Sequence, residues 1–390
     1  MNRPSPKLKV WVFGFLFLAL LPFDAFGHTK GISLARYGLV DITLTGNVIY
    51  SAYTNYEKAY PMLTPYIGEA LPRGITLKSF DVSFTADLFQ FPAKMALFTA
   101  FGDDGASIEE AFILFHKLPV NLQAKVGRFR GVFGKLNQYH DHEWIFANPP
   151  MINTALAGED GFKVLGAEVT YLLPTMPYIE LALDIAKRET EGVFKSKPDP
   201  VTGLPDARDL LYITKATSFL DLTEASNIEF GATFATGGNN SLEGNNDQTR
   251  IYGVDFTYKY KPQPYNPYVR WTTEFFWADR ELGHLSVPDQ ALKGLYTEVN
   301  YRFSYYWDVG ARFDLVNGNV KPEDPTFADV TKTRFTTALR YFFNPVSRVN
   351  FQIDYLPATH GTKDSVGFFI QFNIGLGTVT PGVGKFYTLF

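Results

Sequence analysis

An all-β chain, closed into a transmembrane antiparallel up-and-down β-barrel of about sixteen strands without a plug domain, is the fold this sequence predicts. Three observations predict it. Segments of roughly ten residues alternate apolar and polar side chains, separated by Gly, Pro, Asn and Asp. Aromatic residues make up 16% of the chain, with 36 Phe and 22 Tyr, and several stand at the ends of those segments. Past residue 27 no run of about eighteen apolar residues occurs, so no helix of membrane-spanning length is available.

The alternation is clearest over residues 364–376. There Val366, Phe368, Ile370, Phe372, Ile374 and Leu376 share one face, and Gly367, Gln371 and Asn373 share the other. The same phase sets Tyr252, Val254 and Phe256 against Asp255, and Val269, Trp271, Phe275 and Trp277 against Arg270 and Glu274. It sets Val299 and Tyr301 against Glu298 and Arg302, Val309 and Phe313 against Asp308, Arg312 and Asp314, and Phe351 and Ile353 against Arg348 and Asp354. In hydrocarbon every backbone polar group needs an internal partner, so a chain that crosses with strands must close on itself. Trp271 with Trp277, Tyr258 with Tyr260, and Trp307 read as interfacial girdles around a lipid-facing band. A soluble sandwich would use shorter, more aliphatic strands.

Lys7 and Lys9, the apolar residues 10–21, and the small Ala25 and Gly27 mark residues 1–27 as a cleaved signal peptide. Residues 28–390 then form a single barrel domain. At about 22 residues for a strand and its share of turn and loop, that length suits sixteen strands, with fourteen to eighteen left open. Short links at 261–267 and 343–347 read as periplasmic turns. Longer polar segments at 55–74, 130–160, 187–209, 237–248, 280–293 and 317–331 read as extracellular or inward-folding loops. No plug-sized segment precedes the first strand. Phe390 is the expected signal for the barrel-insertion machinery, although the Gly-rich stretch 375–384, with Pro381, leaves only a short strand before it.

The absence of Cys removes any disulfide framework. Without the leader's Arg3, Lys7, Lys9 and Asp24, the 36 basic and 40 acidic residues fall to 33 and 39, a mild acidity that argues against nucleic acid as a partner.

Candidate functional residues follow from the non-lipid parity. It gives Lys125, Arg270, Glu274, Glu298, Arg302, Asp308, Arg312, Asp314, Arg340 and Arg348 as pore-lining. Acidic residues outnumber basic ones on this face, and pairs such as Arg270 with Glu274, Glu298 with Arg302, and Arg312 with Asp308 and Asp314 should leave weak ion selectivity tending to cations. The alternation slips at Gly127, which suggests a bulge and leaves the facing of Arg128 and Arg130 open. His140, His142 and Glu143 form the densest polar cluster and could ligate zinc, the one cofactor the sequence suggests. The same segment carries Trp144, Ile145, Phe146, Pro149 and Pro150, which would suit a loop packed inside the lumen as a constriction. No catalytic motif stands out, so no enzymatic activity is expected.

The segments 126–134, 253–260, 295–303 and 309–314 resemble the phosphate-selective porin O/P-like family of Gram-negative outer membranes. That resemblance implies a sixteen-stranded porin in outer-membrane lipid, often a homotrimer, with lumen-lining loops and passive diffusion of small hydrophilic solutes. The mixed charges on the lumen face depart from the basic ladder on which that family depends. Residues 133–140, 158–161 and 171–174 resemble small proteins labelled zinc-regulated TonB-dependent outer-membrane receptors, which implies a metal- or metallophore-linked uptake protein as the alternative. The secreted chain should begin at His28, and mass spectrometry of a purified outer-membrane fraction will check it: retention of residues 1–27 would contradict the leader.

Overall fold

The structure, a computed structural model, describes residues 32–34, 38–55, 73–88, 91–102, 105–189, 192–194, 210–239, 247–262, 267–283, 289–319, 330–358 and 363–376. Residues 1–27, expected to be a signal peptide, and Phe390 lie outside the described residues.

After the short β1 (Ile32–Leu34), sixteen strands pair each with the next, all antiparallel. They are β2 (Gly38–Tyr53), β3 (Gly74–Leu88), β4 (Ala93–Gly102), β5 (Gly105–Leu118), β6 (Leu122–Arg130), β7 (Lys163–Leu173), β8 (Tyr178–Arg188) and β9 (Leu211–Thr223). The second half is β10 (Ser226–Gly238), β11 (Gln248–Tyr260), β12 (Tyr268–Arg280), β13 (Gln290–Arg302), β14 (Trp307–Gly318), β15 (Val330–Asn344), β16 (Ser347–Leu356) and β17 (Ser365–Leu376). The circle closes where β17 pairs with β2, from Gly367 opposite Tyr53 to Leu376 opposite Leu44. β1 continues the same edge of β2 beyond that point, with Ile32 opposite Val40.

The alternation is realised as a lipid face and a lumen face. Val254 is 56% exposed and Trp271 44%, whereas Asp255 and Glu274 on the other parity are 4% and 0% exposed. Because the strands alternate in direction, one end carries the short connections 119–121, 174–177, 224–225 and 345–346. The strand ends that flank the six long polar segments lie at the opposite end, and the segment 131–162 joins β6 to β7.

Gly127 does not mark a bulge. It has φ +134°, yet β6 stays in register with β7 throughout, and with β5 from Ala111 opposite Arg128 to Phe115 opposite Ala124. The irregularity of that pairing lies instead between Phe115 and Leu118. Arg128 and Arg130 therefore carry the parity opposite to Lys125. Arg128 is half-exposed and bonded to the Ile108 carbonyl and to Glu189, while Arg130 is buried where the chain turns inward.

Val254 is central in β11 and faces lipid, so Val254→Arg should cost about 2–4 kcal/mol, against about 0–1 kcal/mol for Thr331→Arg near the end of β15. Urea titration of the protein folded in lipid vesicles will compare the two.

Candidate functional site

Residues 131–162 fold into the lumen, and the reason is apolar. Phe133, Met151, Ile152, Leu156 and Phe162 are buried against Phe276, Tyr296, Leu292, Ile213, Ile251 and Val316 on the inner wall. Phe133 stacks on Phe276 at 4.7 Å, and Ile145 and Phe146 pack on Ala338. Each large apolar side chain buried this way contributes roughly 1.5–3 kcal/mol. The single α-helix among the described residues, α1 (Met151–Ala157), is buried at every position. Gly310 makes room for this packing, since a Cβ there would stand 2.9 Å from Ile145.

Outside α1 the segment has little regular structure, so the wall supplies its backbone partners. Wall acceptors receive its N–H groups: Asp184 from Val132 (2.8 Å), Glu274 from Leu136 (2.7 Å), Gln352 from Ala147 (2.8 Å) and Asp314 from Met151 (3.0 Å). Wall cations donate to its carbonyls: Lys215 to Gly134 (2.6 Å), Arg312 to Asn148 (2.9 Å), Arg334 to Pro149 (2.6 Å), and Arg348 to His142 and Trp144 (2.6 and 2.7 Å). Lys135 reaches back to pair with Glu229.

The segment fills the side of the lumen bounded by β8–β15 and leaves a cavity of about 900 Å³ along β2–β8. This cavity is bordered by the Gly102 to Gly105 turn at one end of the barrel and by Pro345 and Val346 at the other. Nine carboxylates line it, Asp81, Glu109, Glu110, Asp141, Glu143, Glu159, Asp160, Glu168 and Glu180, against four permanent cations, Lys78, Lys125, Arg130 and Arg348. Many are paired: Lys125 with Glu168 (2.8 Å), Lys78 with Asp141 (3.0 Å), and His140 Nε2 with Glu110 (2.8 Å). Burial alone would raise the Asp141 carboxyl, but the Lys78 ammonium and His142 beside it hold it below the usual carboxylate range.

The ten wall residues expected to line a pore divide by what the inserted segment covers. Lys125 and Arg348 border the 900 Å³ cavity. Arg270, Glu298 and Arg312 border a separate cavity of about 160 Å³. Glu274, Asp314 and Arg312 hold the segment itself, while Asp308 is chelated by Arg340 (2.7 Å to each oxygen) and touched by Arg302 (3.4 Å). The sequence pairing of Arg270 with Glu274 is replaced: Arg270 meets Glu298 at 3.5 Å, and Glu274 accepts from Tyr296 Oη at 2.6 Å. Sequence reasoning missed Asp81, Glu109 and Glu110 as neighbours of the segment. A signal was available in the apolar Ile213, Ile251, Phe276 and Val316, which break the polar lumen parity where the segment docks.

His140, His142 and Glu143 do not converge on one point. The His140 ring stacks on Phe98 and bonds Glu110, and the Glu143 carboxylate accepts from the His140 backbone N–H at 2.9 Å. His142 instead faces Asp81 and Asp141.

No family model matches this chain, so membership of the phosphate-selective family remains an implication of short motifs. An uncharacterised protein of Aquifex aeolicus (strain VF5) is 30% identical over 303 residues, which is 72% of this chain and 64% of that protein. The matched region thus spans less than two thirds of that relative. Among solved structures, a loop L8 deletion mutant of OmpT, an outer membrane protein of Vibrio cholerae, matches with TM-score 0.58 and 12% identity over 87% of this chain and all of that one. A trimer form of OmpT gives 0.55 and 11% over 87% and 100%. An anion-selective porin from Comamonas acidovorans gives 0.55 and 10% over 86% and 100%. The chain has the fold of outer-membrane porins, and its apolar exterior sets it in a bacterial outer membrane.

Proposed function

We propose that the protein is a passive channel for small hydrophilic solutes and ions, weakly selective for cations, with the inserted segment 131–162 as its constriction. The observation that carries this reading is the end-to-end cavity with nine carboxylates against four permanent cations. Fixed charge on a narrow wall raises the local concentration of counter-ions. Pairing within the lining, as between Lys125 and Glu168, keeps the preference small. The polar groups of the cavity are bound to one another rather than arrayed as nucleophile and base, which favours a channel over an enzyme. A homotrimer, as in the OmpT trimer form, is the assembly this reading takes.

In planar bilayers under a tenfold KCl gradient, the reversal potential should have the sign of modest potassium preference. Strong chloride preference, lost when the cavity-lining Arg130 is replaced by Ala, would overturn the assignment in favour of an anion channel.

The constriction depends on Asp314, which accepts from the Met151 N–H and binds Arg312 and Arg334 at 3.0 Å each. Asp314→Ala leaves two buried guanidinium groups without their carboxylate and should cost about 3–5 kcal/mol of stability. Urea unfolding will measure that cost, and single-channel recordings should register larger, noisier openings as the segment loosens.

A further inference from the structure

His142 Nδ1 is shielded from solvent and has no hydrogen-bond partner among the described residues. Opposite it stand an Asp81 oxygen at 3.4 Å and an Asp141 oxygen at 3.8 Å. One donor atom from each of the three residues lies within 4.8 Å of the other two. Both gaps exceed the roughly 2.7–3.2 Å of an N–H···O hydrogen bond. They match something else. A zinc-type cation bound tetrahedrally at about 2.0–2.2 Å holds neighbouring donors roughly 3.3–3.6 Å apart. The gap from His142 to Asp81 already has that span, and the gap from His142 to Asp141 exceeds it by only a few tenths of an ångström.

The surroundings suit such an ion. Lys78 (3.0 Å) and the Asn47 amide (3.4 Å) both engage Asp141 Oδ2, whereas His142 faces Oδ1, so the cation of Lys78 and the donor set use different oxygens. The Ser79 hydroxyl donates to Asp81 Oδ2 at 3.1 Å, the kind of outer contact that orients a ligating carboxylate. All three residues border the 900 Å³ cavity, so an ion can enter from water and keep a solvent-facing position.

We propose that Asp81, Asp141 and His142 form a site for a divalent transition metal of the zinc class in the channel wall, joining the tip of the inserted segment to β3. One imidazole nitrogen and two carboxylate oxygens leave a fourth position for water or a passing solute. The bound ion adds two positive charges to the acidic passage, so it reduces cation flow. That consequence rests on the channel reading, whereas binding itself does not.

Zinc chloride titrated calorimetrically into the detergent-folded full mature chain should bind at one ion per chain. His142→Ala and Asp81→Asn should each weaken it at least about tenfold, while His116→Ala, on β5 and outside the lining of the cavity, should leave it unchanged. Heat-modifiable gel mobility will verify that each variant is folded, and if His142→Ala is not, Asp81→Asn decides. Absence of zinc binding in the wild type, or wild-type affinity in a folded Asp81→Asn variant, would overturn the site. In bilayers zinc should lower the conductance of the wild type and not that of Asp81→Asn. Binding that is intact in a protein that conducts no ions would remove the channel reading and leave the metal site standing.

Discussion

A backbone donor or acceptor inside hydrocarbon must find its partner within the protein, and the seam between β17 and β2 is where this chain meets that demand. Once the seam closes, no strand edge is left along its length, and each strand has one lipid face and one lumen face. The side chains then sort by solvent alone. Val254, Trp271 and Phe351 face outward, and Asp255, Glu274 and Gln352 face inward. Sixteen strands enclose a bore too wide for wall side chains to fill. That width is what admits a segment of chain.

The same demand recurs one layer inward. The segment 131–162 brings irregular backbone into a confined space, where an unpaired N–H or carbonyl would be costly. The barrel answers with charged side chains of matching polarity: carboxylates of Asp184, Glu274 and Asp314 take its N–H groups, and Lys215, Arg312, Arg334 and Arg348 satisfy its carbonyls. The wall charges are also cross-linked to one another, as Arg312 and Arg334 are by Asp314. Removing one member therefore exposes several. Lys215, Arg312, Arg334 and Asp314 show how a barrel can carry buried charged groups: each bonds both a charged neighbour and the inserted backbone, which offsets its desolvation.

Period-two patterning made the fold legible, because the face a strand residue occupies depends only on its parity. It gave the strand theme, the lumen face and the end carrying the long loops. What it could not give was which lumen residues meet water. Glu274 and Leu136 are 138 positions apart, as Arg348 and Trp144 are 204 apart, and no local pattern encodes such contacts. The three residues grouped by sequence for zinc do not meet at one point, for the same reason. His140, His142 and Glu143 are adjacent in sequence, but a tight turn directs their side chains to different partners, and the carboxylate facing His142 comes from Asp81 on β3. Gly127 misled in a different way, since its positive φ is absorbed without any change of register.

The proposed cation preference follows from how the basic side chains are engaged. Basic residues are already the minority on the lumen face, and Lys215, Arg312 and Arg334 lie beneath the inserted segment with their donors on its carbonyls. Arg340 is held by both oxygens of Asp308. Those groups cannot form a ladder for anions, because a passing ion would have to displace bonds that support the constriction itself. The acidic residues of the open side do not anchor the wall beneath the segment: Glu109 pairs with Lys163 and Arg130, Glu110 with His140 and Glu168 with Lys125, and all three face the cavity. Anchoring the segment therefore withdraws positive charge from one side of the lumen and leaves the other side net acidic, so in the proposed channel the constriction and the sign of the field have one origin.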